Sequence, residues 1–247
     1  MNWAALDPGL LAWPLAAAAL VLATHLPLGR EVLARGIIFL DLAVAQVAGL
    51  GILVAASLGW PAAGWRMQAA ALAAALLAGA GMRLAERRWP AIQEPLIGSV
   101  FVLAASLGSL LAAGDPHGSE QLRDILVGQV LWVSPTQVGT AALAMLAAMA
   151  VWWRWRRQGW AFYLAFAICV TQSVQLLGVY LVFASLIFPA LAVRGLAARA
   201  ALPRGYAIGV LGCVAGLAAS ALFDLPAGGV MVVTLACAAL LLARRRA

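Results

Sequence analysis

The sequence predicts an all-α, polytopic membrane protein: a helical bundle of about seven to eight transmembrane helices, with one short or re-entrant helix on the outer side. Three observations carry this reading. Hydrophobic residues make up 65% of the 247 residues and charged residues only 10%, where a soluble domain is about one quarter charged. The apolar runs recur at lengths of roughly twenty residues, enough to cross a hydrocarbon core of about 30 Å. Finally, all 16 positive side chains are arginines, and they cluster at alternate ends of those runs. The whole chain, 1–247, is taken up by this single membrane domain, with no room for a fused soluble module.

The arginines set the topology. Arg30, Arg35, Arg83, Arg87, Arg88, Arg154, Arg156, Arg157, Arg194, Arg199, Arg204 and Arg244 to Arg246 fall on one side, which leaves Arg66 and Arg123 for the other. By the positive-inside rule the richer side is cytoplasmic, so the N-terminus is expected outside and the C-terminus inside. Asp7, Asp115, Glu120, Asp124 and Asp224 then fall outside, and Glu31, Glu86 and Glu94 inside. The net charge of +7 is thereby a topology signal, and no nucleic-acid partner is expected. Cys169, Cys213 and Cys237 stand alone in apolar runs, without metal or redox spacing, and read as small buried hydrophobes. No basic stretch precedes the first apolar run, so that run reads as a retained helix.

Taken in order, Gly9 to Leu28 form the first span, with His25 near its inner end as an interface residue. Gly36 to Gly59 form the second. It holds Asp41, six residues past Arg35 and about 9 Å along a helix, and Gln46, about 16 Å along and near mid-membrane. An ionisable residue within a span is a functional candidate, and near the inner interface Asp41 is also within reach of an arginine. Asp41 and Gln46 stand roughly 140° apart around the helix, so only a wide cavity touches both. Trp60 to Trp65 make an outer aromatic turn. Met67 to Leu84 and Leu96 to Ala113 are the third and fourth spans. Gly114 to Arg123 read as a polar outer loop, in which Asp115, His117 and Glu120 could meet a cation. Asp124 to Trp132 are too short to span and give the short or re-entrant helix. Val138 to Trp153 return to WWRWRR, an aromatic and basic belt.

Trp160 to Val193 go out and back in too few residues for two full spans, so a break is expected. Within them, Thr171, Gln172 and Gln175 share one helix face, and Gly178 and Pro189 interrupt the run. Amides and broken backbone are costly in hydrocarbon, so Thr171 to Arg194 read as an inner wall lining a solute path. Gly205, Gly209, Gly212 and Gly216 recur at helical spacing, a close-packing face within the chain or toward a second copy. Gly228 to Ala243 form the last span. The sequence holds no HExxH, GxSxG or P-loop, so no enzyme activity is expected of it, and any ATP hydrolysis falls to another subunit.

Four stretches, in this order along the chain, carry a resemblance: ARGIIFLDLAVAQVAGLG (Ala34 to Gly51), ILVGQVLWVS (Ile125 to Ser134), GVYLVFASLIFPALA (Gly178 to Ala192) and FDLPAGGVMVV (Phe223 to Val233). Together they resemble the zinc and manganese permeases, the membrane subunits of metal-importing ATP-binding cassette (ABC) transporters. The resemblance implies a multi-pass permease in a bacterial inner (plasma) membrane. It would work as a homodimer with a cytoplasmic ABC ATPase and a periplasmic or extracellular metal-binding protein. It implies no tightly bound cofactor, zinc or manganese being the transported ion. Many members carry an Asp and a His four residues apart in the second span. With Arg35-Gly36 in register those positions are Leu42 and Gln46, and the carboxylate stands at Asp41, the residue here that would meet the metal. The family's inner loop before Trp160, which bears a docking helix, is short here. A permease for a non-metal solute and a non-transporting membrane scaffold are the alternative readings.

Overall fold

The computed structural model describes residues 8–61, 64–114 and 118–243. Asp7, Asp115, His117 and Arg244 to Arg246, assigned above to the membrane faces, lie outside them. The described chain is helical: α1 (Pro8–Arg35), α2 (Leu40–Ser57), α3 (Trp65–Arg88), α4 (Gln93–Ala113), α5 (Gly118–Val127), α6 (Pro135–Arg154), α7 (Gly159–Leu177), α8 (Val179–Ala192), α9 (Ala198–Phe223) and α10 (Ala227–Leu242), with single 3-10 turns at Pro90–Ile92 and Val130–Trp132. Among the described residues, seven helices are long and apolar enough to cross a membrane, while α8 and α10 are apolar but shorter.

Local chemistry explains where these boundaries depart from expectation. α1 does not stop at Leu28 but continues to Arg35, with Pro27 inside it. Its last turn carries a Glu31–Arg35 ion pair at helical spacing, Nε to Oε1 2.9 Å, and Gly36 at φ 70 ends it in the left-handed conformation that favours glycine. Extending α1 moves His25 from the helix end into its middle, where it is fully buried rather than interfacial. The loop expected over Gly114 to Arg123 is helical from Gly118 onward. Leu122, Ile125 and Leu126 form a half-buried stripe there, while Glu120, Arg123 and Asp124 are exposed.

Gly178 breaks the run after Thr171, but Pro189 does not: α8 passes through it to Ala192. The ring removes only the hydrogen bond to the Ser185 carbonyl, and the helix has three residues left to run. The stretch Thr171 to Arg194 is therefore divided between two helices, α7 and α8. Of the cysteines, Cys169 and Cys213 are buried but Cys237 is exposed. It stands on a stripe of α10 with Val233, Leu240 and Leu241, all exposed, an apolar face suited to lipid.

The chain forms two compact units. The first comprises 1–35, 127–142 and 176–247, in which α9 packs on α10 and α1, and α8 on α1 and α10. Backbones meet directly in it. A Cβ on Gly128 would lie 2.3 Å from the Leu177 carbonyl oxygen, and one on Gly178 2.4 Å from the Gly128 amide nitrogen. Gly178 also holds φ 78 and ψ 162, a combination essentially restricted to glycine. The glycines of α9 divide between two neighbours. Gly205 and Gly209 admit Leu26 and Leu22 of α1, whereas Gly212 and Gly216 abut the α10 backbone at Leu235 and Met231. Thr234 of α10 closes the latter contact by donating its hydroxyl to the Gly212 carbonyl at 2.8 Å.

The second unit comprises 36–126 and 143–175, with α2 packed on α3 and α4. Gly51 of α2 sits against the Ala70 carbonyl and Ala74 of α3, and Gly79 of α3 against the Tyr163 carbonyl of α7. Two adjacent residues at the start of α4 hold two other helices. The Gln93 amide donates to the Tyr163 hydroxyl of α7 at 2.8 Å. The Glu94 carboxylate accepts from the Phe39 amide at the start of α2 at 3.3 Å.

Two outcomes are expected. Gly178→Ala should lower stability by at least about 2 kcal/mol, from backbone strain plus collision with Gly128, in a thermal melt of the detergent-solubilised protein. Gly81→Ala, whose Cβ would meet open space, should not. In a double-mutant cycle, Gln93→Leu and Tyr163→Phe should each cost about 1 kcal/mol, and the pair no more than the costlier single change.

Candidate functional site

The polar residues singled out on α2 and α7 fall in the same compact unit: Asp41 and Gln46 on α2, Thr171, Gln172 and Gln175 on α7. The helix-break and packing positions Gly178, Pro189, Gly205, Gly209, Gly212 and Gly216 fall in the other.

Asp41 is the second residue of α2 and is 1% exposed. The first turn of a helix presents amides without intrahelical acceptors, a favourable setting for a carboxylate. Oδ1 nevertheless meets no hydrogen-bond partner among the described residues. Gln46 is also buried. The two residues point away from each other around the helix, so α2 is enclosed on both sides, consistent with its packing on α3 and α4.

On α7, Thr171 is buried and satisfies its hydroxyl locally, donating to the Ala167 carbonyl at 2.7 Å. Such a bond removes it from the polar groups available to a solute. Gln172 and Gln175 are half-buried, and Gln175 Nε2, itself out of solvent, has no partner among the described residues. Ser173, which sequence reasoning passed over, is fully buried with its Oγ unpartnered. The end of α7 is thus more polar in effect than the three selected residues suggested.

Glu94 is the other residue that was missed. One carboxylate oxygen binds the Phe39 amide, two residues before Asp41, while Oε2 is buried without a partner among the described residues. Its position at the start of α4 in an arginine-rich inner segment made it look like surface charge. His25 stands in the other unit. Its Nδ1 donates to the Val21 carbonyl at 2.9 Å, which fixes the tautomer and leaves Nε2 without a partner among the described residues. Among the described residues no three His, Cys, Asp or Glu side chains gather into a set able to cage a metal ion. Whereas the unpartnered Gln175 Nε2 is an N–H donor, what the second unit offers a cation is one carboxylate oxygen each from Asp41 and Glu94 and the hydroxyl oxygen of Ser173. Such hard, neutral-to-anionic oxygen donors suit a passing divalent ion better than a retained one.

Residues 9–162 and 156–245 match the ABC 3 transport family. No curated protein matches the chain significantly. Among solved structures, PsaBC from Streptococcus pneumoniae in complex with Fab is similar over 98% of this chain and 95% of its own, at 20% identity and a TM-score of 0.76. An inward-facing structure described as a metal-chelate type ABC transporter is similar over 94% of this chain and 86% of its own, at 18% identity and a TM-score of 0.66. At these identities the two structures establish a shared fold. With the family profile covering nearly its whole length, the chain is a multi-pass membrane protein that belongs to the ABC 3 transport family.

Proposed function

We propose that the chain is the permease subunit of an ATP-driven importer of divalent metal, zinc or manganese, in a bacterial inner membrane. The observation that carries it is the set of buried oxygen atoms without partners among the described residues on α2, α4 and α7: Asp41 Oδ1, Glu94 Oε2 and Ser173 Oγ. In membrane-spanning helices each such group costs free energy, and passage of a cation gives that cost a use. Membership of the ABC 3 transport family supports transport, and the description of one similar structure as a metal-chelate type transporter supports a metal.

The working parts follow from the residues. Asp41 attracts the ion toward the inner end of α2, and Gln46, Gln172 and Gln175 contact it weakly along the way, while Thr171 keeps its hydroxyl on the Ala167 carbonyl. Several weak contacts allow an ion to leave as readily as it enters. High-affinity capture then belongs to a separate periplasmic or extracellular binding protein. The sequence contains no P-loop, so the energy comes from a cytoplasmic ABC ATPase. Two copies of this chain with two ATPases complete the importer. Gln46, a neutral amide where many zinc and manganese permeases have histidine, favours one second reading, a permease for a non-metal solute.

Asp41→Asn keeps size and removes charge. In vesicles containing the complete transporter it should cut zinc or manganese uptake at least about tenfold, equivalent to roughly 1.4 kcal/mol, while the ATPase still copurifies. Normal metal uptake by Asp41→Asn and by Gln46→Leu would discard this path. Metal-independent uptake of an organic solute would establish the second reading.

A further inference from the structure

A groove of about 430 Å³ runs between α3 and α7 of the second unit. Its floor is Leu76, Ala80 and Leu164, and Arg83 and Trp160 stand at one end. Two glycines shape it. Gly79 lets α3 lie against the α7 backbone at Tyr163, and Gly159 leaves the space in which the Arg83 guanidinium rests, a Cβ there being 2.5 Å from Cζ. Arg83 is therefore held directly over the first residue of α7.

Charge and polarity are divided along the groove. Arg83 pairs with Glu86 through one nitrogen, but a guanidinium has five N–H donors and one carboxylate does not exhaust them. Arg87 and Arg88 follow on the same helix, so its last two turns carry three positive charges against one negative. The N-terminus of α7 adds its own positive end to this mouth. Trp160 is partly exposed and donates its indole N–H to Gln158, the amphipathic placement of a side chain at a membrane interface. From Arg83 to Leu76 the groove follows two turns of α3, about 10 Å, or two-thirds of one leaflet's hydrocarbon depth. Its inner end lies on the arginine-rich side, where anionic lipids concentrate.

We propose that this groove is a binding site for an anionic phospholipid of the inner leaflet, its phosphate at Arg83 and the start of α7 and an acyl chain along Leu76, Ala80 and Leu164. Charge complementarity at one end and an apolar trough at the other select a two-part ligand. A free phosphate has no use for the trough, and a neighbouring apolar helix has none for Arg83.

Native mass spectrometry of the full-length protein in detergent tests this, with dioleoyl-phosphatidylglycerol or dioleoyl-phosphatidylcholine added in equal amounts. The wild type should retain phosphatidylglycerol several-fold more than phosphatidylcholine. Arg83→Gln should remove that preference, whereas Arg66→Gln, exposed at the opposite end of α3, should keep it. Ala80→Phe, at an exposed position on the trough, should lose both lipids, whereas Gly81→Phe, facing open space on the same helix, should keep them. Equal retention of the two lipids by the wild type would overturn the proposal. So would unchanged retention by Ala80→Phe with a normal melting profile, or loss of self-association in Ala80→Phe without loss of lipid.

Discussion

A carboxylate, amide or hydroxyl cannot face hydrocarbon without a partner except at a cost of several kcal/mol, and the placement of polar groups in this chain follows from that constraint. Thr171 satisfies it within its own helix and Thr234 across to α9. Gln93 and Tyr163 satisfy each other between α4 and α7. Among the described residues, five keep a buried polar atom without a partner: Asp41, Glu94, Ser173 and Gln175 in one compact unit, and His25 in the other. Each such exception in a folded protein calls for a physical explanation, and four of the five fall in the unit that holds Asp41 and the polar face of α7.

The other organising feature is backbone contact at glycine. Gly178 terminates α7 immediately after its polar end, and it does so in a conformation closed to other residues, against the amide of Gly128. The same device recurs along α9, where glycines bring α10 within backbone reach and let leucines of α1 enter. Between membrane helices apolar burial contributes little to association, because lipid is as apolar as the partner, so close packing of this kind carries the assembly. Gly178 and Gly128 are fixed against each other by steric fit within the first unit.

Much of this was legible in the sequence because it depends on local pattern. Composition and arginine spacing specified a helical membrane bundle, and Asp41 was conspicuous as a carboxylate in an apolar run. What escaped notice depends on distant partners. Glu94 acquires its role from Phe39, and Gln93 from Tyr163, seventy residues away, and neither link leaves a trace in local spacing. Ser173 is too common a residue type in membrane helices to stand out. Pro189 was read as a break because proline usually is one, but so near a helix end it interrupts only one bond. The helical start at Gly118 was hidden by charged residues that share the segment with its apolar stripe.

The central claim is that the polar residues of α2 and α7 border a water-filled path. Cysteine accessibility addresses it most directly. In a background of Cys169→Ala, Cys213→Ala and Cys237→Ala, Gln46→Cys, Gln172→Cys and Gln175→Cys would be introduced singly, with Leu240→Cys as the lipid-facing comparison. Reaction with a small membrane-impermeant thiol reagent would be followed in the assembled transporter, with and without zinc or manganese. The account predicts that the three path positions react and that the metal slows them, while Leu240→Cys stays inert. Equal inertness at all four positions would contradict it.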